Sequence, residues 1–451
     1  MLRSLRHLAC GLGLLILAQT QTHATDLLQS WQAARSHDAG LMAAQAALRA
    51  ALEKIPQGDA LLASHVDLSA NAGRSQQDYR PGDVTTAHPS TNTNGQVYGA
   101  GIVWNKPLYD ASSSAARDRL HREAEQARVQ YLQAEQDLML RVARTYFDVL
   151  LARENLTLAK AQAQAVGEQL GLAKEKYQLG LASITDADDA QARHDNLLAA
   201  EVANANDLAN KADVFAQLTG LNASTLLPVA PTLAPVAPVP VMLADWQSRS
   251  RDGNPLLRLI ALDVEIAGKQ IDQYRWQGAP RVSVTASFGR QYEAGSISTS
   301  GGRDATTSGA IGLQLNIPIG DGGLRQSQLR QAYAVQDQQR YTLEAGQREI
   351  ERITRQFFTA LRDGADRIRA LERARVSGES SIHSSQVGQE VGVRTIIDVL
   401  NAEQAYFQTL FNLSSARHDY LYSQLQLAAT AGALGEETLA QVNAALAAQS
   451  Q

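Results

Sequence analysis

The chain has 451 residues, a formal net charge of −5 at neutral pH, 44% hydrophobic residues and only 5% aromatics. With no basic excess, nucleic acid is not an expected partner. The alanine-rich, aromatic-poor mix suits close-packed helices better than a globular core filled by Phe and Trp, and no chain-wide disorder signature is present.

Arg3, Arg6 and His7 precede an apolar run from Leu8 to Ala18, and small or polar residues follow, ending Thr22-His23-Ala24. That pattern predicts a signal peptide over residues 1–24, with a buried N-terminal helix as the plainer alternative. The run is too short to span a bilayer, and no other apolar run reaches about 18 residues. Export without a transmembrane helix is therefore expected. Cys10 is the only cysteine. The apolar stretch before it is too short for a lipoprotein signal, and cleavage leaves a mature chain without thiol chemistry.

The mature chain opens with a helical pattern over residues 26–55. Two strands follow, about residues 64–76 and 95–106, enclosing a polar loop over 77–93. Tyr98, Ile102 and Trp104 make a bulky face at period two. A soluble half-buried sheet shows the same alternation. Pro107 is expected to end the strand and Asp110 to cap the next helix. No proline occurs between Leu108 and Leu227. One helix from Asp110 to Gly180 would then be about 100 Å long. Its seam is Leu120, Ala124, Ala127, Tyr131, Ala134, Leu138 and Val142, at spacings of three and four. Gly167 and Gly171 are expected to soften it, and a return helix runs from Asp186 to Leu218.

Pro228, Pro231, Pro235, Pro238 and Pro240 then mark a connector, residues 228–241. The residues fit either an extended polyproline-like segment or a disordered linker. A second series begins beyond it. It holds a helix over 242–277, strands over about 281–292 and 308–319, and a polar loop over 294–307. A helix from Asp321 to Gly392 follows, softened at Gly346, Gly364, Gly378 and Gly388, then a return helix from Asp398 to Ala433 and a C-terminal segment, 435–451. In Ile311-Gly312-Leu313-Gln314-Leu315-Asn316-Ile317 every other residue is a large aliphatic.

The two series share sequence in the same order. Trp31-Gln32 recurs as Trp246-Gln247, Val66–Ala70 as Val282–Ala286, and Pro107-Leu108-Tyr109-Asp110 as Pro318-Ile319-Gly320-Asp321. Tyr146-Phe147 recurs as Phe357-Phe358, and Gly180–Asp186 as Gly392–Asp398. An internal two-fold repeat is expected, one copy over 25–227 and the other over 242–434.

Four strands with apolar faces cannot close a barrel, and open edges in a bilayer leave backbone groups unsatisfied. Several chains must share one barrel. The helical hairpins are far longer than a membrane is thick, so they project into an aqueous space.

Catalytic and cofactor signals are empty. The nine histidines form no His-x-x-x-His pair, there is no Walker loop, and Gly320-Asp321-Gly322-Gly323 reads as a strand-to-helix turn. No enzyme, metal or cofactor is expected. A structural or adhesive coiled-coil protein of the envelope is the alternative from another class.

At the two Gly–Asp turns the sequence resembles the TolC family of outer-membrane efflux and secretion channels. The similarity is carried by Tyr177–Asp186, by Val391–Ala402 and by Ala416–Leu421. It implies an α+β membrane protein of the bacterial outer membrane, most of it in the periplasm. The assembly would be a homotrimer with a twelve-stranded β-barrel, four strands per chain, continued by a long periplasmic α-helical barrel. A mixed equatorial belt would use the connector and the segment after Leu434. Partners would be outer-membrane lipid, a periplasmic adaptor and an inner-membrane ABC or proton-driven pump. The duct would passively conduct type I secreted proteins, small toxic compounds, or both, and overall similarity leans toward the secretion branch.

Carried over by residue, Arg394 is a latch cation at the periplasmic end, with Thr185 and Asp186 as partners, and Arg417 forms a second link. Asp398 faces the pore, and three copies give an acidic ring that attracts cations. Gln389 stands where the best-known member has a latch tyrosine, and Asn401 where it has a second pore-facing aspartate. A looser gate and a weaker cation preference are expected. Gly180, Leu181, Gly392 and Val393 are implied to dock the adaptor. The local chemistry has its own reading: Ser183-x-x-Asp186 and Thr395-x-x-Asp398 fit capping boxes, and both glycines fit helix C-caps.

Overall fold

The computed structural model describes residues 24–80, 82, 91–230, 233–298 and 300–446. The expected signal peptide, apart from Ala24, and the last five residues of the C-terminal segment lie outside them.

The mature chain starts with α1 (Leu27–His37), α2 (Ala39–Leu52) and α3 (Lys54–Ala60). One helix was expected here. Asp38 breaks it, because its carboxylate accepts from Leu41 N at 2.7 Å and starts a new helix. The matching break in the second series lies at Asn254, whose side chain accepts from Leu257 N, with Pro255 at the first helical position. It divides α6 (Leu243–Gly253) from α7 (Pro255–Trp276).

Four strands form one antiparallel sheet in the order β1-β2-β3-β4: β1 (His65–Tyr79), β2 (Thr91–Tyr109), β3 (Arg281–Gly295) and β4 (Arg303–Asn316). The two outer strands present open edges. The ladders run past the expected strand ends at the hairpin side, while β4 stops at Asn316 rather than at residue 319. Pro107 does not end its strand. It lies inside β2, at a register shift between Pro107 and Tyr109, where the missing N–H is tolerated.

Register sorts the side chains into two faces. Leu68, Ile102, Phe288 and Gly309 lie in one row, and Val66, Trp104, Ala286 and Ile311 in the next. The opposite face carries rows such as Ser69, Gly101, Gly289 and Ser308. The apolar face has nothing over it within the chain: Leu68 is 77% exposed and Ile311 79%. About 25 cal/mol per Å2 of apolar surface disfavours leaving such a face in water.

Two long helices leave the sheet. α4 (Ala111–Gln178) is 68 residues and α8 (Leu324–Glu390) is 67. Each is more than three times the span of a bilayer at 1.5 Å per residue. Asp110 caps α4 by accepting from Ser113 N at 3.0 Å. Asp321 sits two residues before the formal cap of α8, which is Gly323 at φ 87°, yet its carboxylate accepts from both Gly323 N and Arg325 N at 3.0 Å. The return helices are α5 (Ile184–Thr219) and α9 (Ile396–Thr430), and α10 (Glu436–Asn443) closes the described chain.

Of the glycines expected to soften the long helices, Gly171 faces open space, and the others instead face neighbouring side chains within continuous helices. A Cβ on Gly378 would lie 3.1 Å from Tyr406 on α9, and one on Gly388 would lie 3.0 Å from the Arg394 side chain. Missing side chains here let a neighbour pack in.

The main core lies where the helices cross mid-length, around Trp31, Tyr146, Phe215, Leu421 and Leu425. The connector is pinned to it. Tyr146 OH donates to Leu227 O at 2.8 Å, Arg153 donates to Ala223 O and Leu226 O, and Tyr420 OH donates to Val236 O at 2.6 Å. Val229 pairs with Leu446 in an antiparallel bridge, which ties the connector to the end of the chain. Tyrosine hydroxyls and one guanidinium thus satisfy carbonyls in the connector and in the residues that lead into it.

Candidate functional site

The tips of the two hairpins hold the candidate residues. At the first tip Leu179 caps the end of α4, and Gly180 takes φ 72°, which a side chain would strain. Leu181 N then bonds back to Lys176 O at 2.8 Å. Ser183 caps α5 by accepting from Thr185 N at 3.2 Å, and its hydroxyl bonds Thr185 Oγ1 at 2.7 Å. The expected capping box with Asp186 does not form: the serine engages the nearer N–H, and Asp186 has no side-chain partner among the described residues.

At the second tip Gly392 takes φ 80°, and Val393 N bonds back to Gly388 O at 2.9 Å. Here the box is complete. Asp398 N donates to Thr395 Oγ1 at 3.2 Å, and Asp398 Oδ2 accepts from Thr395 N at 2.8 Å. The Thr395 N–H holds the Asp398 carboxyl below the usual carboxylate range, helped by the Thr395 hydroxyl and the Arg394 charge. Asp398 is thus an anion tied to its own helix start. Gln389 lends its carbonyl to Gly392 N at 3.1 Å.

Arg394 folds back along α8, donating to Ser385 Oγ at 3.0 Å with its stem against Gly388. Within one chain it makes no hydrogen bond to Thr185 or Asp186. Arg417, further from the tip, pairs with Glu372 across α9 and α8. Asn401 is also engaged: its Oδ1 accepts from Arg193 Nη2 of α5 at 3.0 Å, and Arg193 Nη1 reaches Gln404 Oε1 at 3.3 Å.

Two apolar side chains lead each turn into solvent. Leu179, Leu181, Val391 and Val393 are each about two-thirds exposed or more. They flank the two positive-φ glycines and give each tip the same greasy knob. Behind them Val166, Leu170, Ala187, Ile396 and Leu400 form a small core that joins the hairpins.

Sequence reasoning missed one group. Glu403 is 96% buried on α9, its Oε1 accepting from Gln169 Nε2 of α4 at 3.3 Å. Its Oε2 and Gln169 Oε1 have no partner among the described residues. Burial pushes the carboxyl up from the ordinary glutamate range, opposed by Gln169 and reinforced by Glu168. The signal was present in the chain: Glu403 occupies the stripe of Ile396, Leu400 and Phe407, where only apolar residues fit the helical period.

No helix of the described residues is long and apolar enough to cross a membrane, and no metal-ligand cluster occurs among them. The polypeptide is nonetheless related throughout to outer-membrane proteins. The family model for outer membrane efflux proteins matches residues 31–221 and 246–433. TolC of Vibrio cholerae serotype O1 is 30% identical over 427 residues, 94% of each chain. The alkaline protease secretion protein AprF of Pseudomonas aeruginosa is 28% identical, over 94% of this chain and 88% of its own. Among solved structures, the outer membrane protein VceC of Vibrio cholerae superposes with a TM-score of 0.76 at 19% identity, over 90% of this chain and 96% of its own. Both strand-and-hairpin halves lie within the family match, so the chain belongs to the outer membrane efflux protein family, the TolC family of outer-membrane channels, and is a channel protein rather than an enzyme.

Proposed function

We propose that three copies of this chain share one twelve-stranded barrel in the outer membrane and extend it through the periplasm as a tube of α4, α5, α8 and α9. The observation that carries this reading is the four-stranded sheet, apolar on one face and open at both edges, joined to helices far longer than a bilayer. A second copy is the simplest cover for each edge, because β4 of one chain offers the unpaired groups that β1 of the next requires. The two similar halves of each chain then supply six hairpins around one axis.

The tube is a passive exit duct. A periplasmic adaptor docks on the exposed knobs at Gly180-Leu181 and Gly392-Val393, and an inner-membrane pump supplies energy and selects cargo. Relatives named for protease secretion favour a type I secretion partner. In the closed trimer Arg394 of one hairpin reaches Thr185 and Asp186 of another, Arg417 adds a link further back, and Gln389 leaves one latch position without a phenol. Asp398 contributes the acidic ring. Exposed links of this kind contribute no more than about 1 kcal/mol each, which suits a gate that a partner must open.

Single-channel recording on purified full-length oligomers in planar bilayers tests the duct. Discrete cation-preferring steps are expected; silence from oligomers whose insertion is verified by protease protection would refute it.

A further inference from the structure

We propose that the outward face of the sheet, at its hairpin end, carries an arginine–tyrosine belt that binds the phosphate groups of a multiply phosphorylated outer-leaflet lipid. The inference rests on the barrel reading, which puts the hairpin loops outside and the helices in the periplasm.

Ladder register places the belt. On the apolar face, Ala72, Tyr98, Tyr292 and Ala305 share one row. One step toward the helices, Ala70, Ala100, Arg290 and Thr307 share the next, and one step toward the loops lie Arg74, Gln96, Ala294 and Arg303. Three arginines therefore bracket a tyrosine pair on the face that is otherwise Val66, Leu68, Ile102, Phe288 and Ile311. Tyr98 and Tyr292 are 46% and 45% exposed.

Depth follows from strand geometry. From Val282 to Tyr292 is about 33 Å along the strand at ~3.3 Å per residue, or about 25 Å along the bilayer normal at the usual tilt. That is the height of a barrel's apolar band, so the tyrosines mark its outer rim. Arg74 and Arg303 lie just beyond it, at headgroup depth. Arg290 is rooted one row inside, yet its guanidinium carbon lies 4.9 Å from the Tyr292 ring centroid. A long stem reaching a rim aromatic is how an arginine on a lipid face keeps its charge out of hydrocarbon.

The charges are sorted by face. At the same level the acids Glu293 and Asp304 occupy the alternate row with Gly73 and Val97, on the opposite face. Asp78, further out on β1, is taken by Arg80 at 2.9 Å. Among the described residues, Arg74, Arg290 and Arg303 have no acidic partner. Three unneutralised guanidiniums on a lipid face call for anions in the lipid, and guanidinium pairs bidentately with phosphate. Because β1 and β4 are the open edges, chain closure brings Arg303 of one copy toward Arg74 of the next, which lets one lipid with two phosphates bridge a seam.

The test uses purified full-length protein in mixed detergent micelles containing diphosphorylated lipid A, with the enzymatically dephosphorylated lipid and inorganic phosphate as separate arms. Lipid retained per oligomer after gel filtration is read by mass spectrometry. Wild type is expected to retain the diphosphorylated lipid, to lose it about tenfold on dephosphorylation, and to lose it similarly in an Arg74→Gln/Arg290→Gln/Arg303→Gln variant, as expected from loss of charge-assisted pairs. The corresponding triple Lys variant should recover part of the binding. Equal retention by the Gln variant, or of the dephosphorylated lipid, would overturn the proposal. Displacement by millimolar inorganic phosphate would instead mark a free-anion site and overturn the lipid assignment. If the triple variant elutes unlike wild type, Arg74→Gln and Arg303→Gln singly, both on the outer strands of the sheet, carry the same test with a smaller expected loss. Failure of the duct reading would appear in the bilayer recordings of wild type, independently of this titration.

Discussion

The two hairpin tips share a turn but differ in how they are tied down. At the first, Ser183 caps α5 through one weak local bond, and Asp186 reaches no partner among the described residues. At the second, the Thr395–Asp398 box closes on itself, and Arg394 lies against Gly388 and Ser385. A tip that satisfies its own polar groups is rigid, and one that does not has groups left for a neighbour. In the gate proposed above, the first tip would be the adaptable half and the second the fixed half.

The largest test of that contrast lies behind the tips, where Glu403 on the second hairpin meets Gln169 on the first. Burial raises the Glu403 pKa, so the folded state holds its proton over a pH range where the unfolded chain has released it. The contribution is fully present below the unfolded glutamate pKa and is lost as pH rises through the folded one. A protonated carboxyl can also donate to Gln169 Oε1, an acceptor that is otherwise orphaned. Acidification should therefore tighten the junction, and Glu403→Gln should do so at neutral pH by about 1–2 kcal/mol, the cost of unsatisfied buried polar groups. Hydrogen exchange of peptides over 163–173 and 399–407, compared at about pH 5 and pH 8 after correction for intrinsic rates, reads the effect. A Gln variant with the same pH dependence as wild type would assign it elsewhere.

Next in size is the capping difference itself. Thr395→Ala removes one half of a reciprocal box and should destabilise the start of α9 by about 1 kcal/mol, whereas Ser183→Ala should cost α5 about half as much. Exchange protection over the first two turns of each return helix measures both. Equal losses would mean that the two tips are equally fixed.

These tests bear on what the sequence made legible. Proline-free runs and glycine turns were enough to place α4, α8 and both tips, because proline is kept out of a helix beyond its first turn and positive φ selects glycine. Alternation was enough to expose the sheet's apolar face. Strand lengths came out short on the hairpin side, since Thr91-Asn92-Thr93-Asn94 pairs through backbone hydrogen bonds that have no side-chain pattern. The break at Asp38 was hidden by an apolar period that continues across it, although Asn254-Pro255 carried a readable start signal. The bonds of Gln169 to Glu403 and of Arg193 to Asn401 join residues more than 200 positions apart. No local pattern encodes such a pairing.

A smaller effect is expected at Arg394. Because its side-chain bond to the buried Ser385 is only partly shielded and lies within one hairpin, Arg394→Ala should change tip protection by no more than about 1 kcal/mol. If the latch reading holds, the same variant should lengthen open dwell times in bilayers. Unchanged gating together with unchanged protection would leave Arg394 as a solvated tip residue.

The finest difference concerns charge at the mouth. Asn401 was expected to make the pore less negative simply by lacking a carboxylate, and on that ground Asn401→Asp should strengthen block by multivalent cations. The structure changes the arithmetic, because Arg193 Nη2 already donates to Asn401 Oδ1 at 3.0 Å. An aspartate there would pair with a guanidinium held across from the first hairpin, and the two charges would largely cancel at the distance of a mobile cation. Asn401→Asp alone should therefore take the pair from one positive charge to neutral and strengthen cation block only modestly. Arg193→Gln alone makes the same change of one charge and should shift block by a similar amount, and the double variant, whose carboxylate no guanidinium engages and which can meet the cation directly at the proposed mouth, should exceed the sum of the two. The excess is the coupling between the hairpins, measured as in a double-mutant cycle. Strict additivity of the block constants in planar bilayers would show that Arg193 and residue 401 do not face one another in the assembled channel.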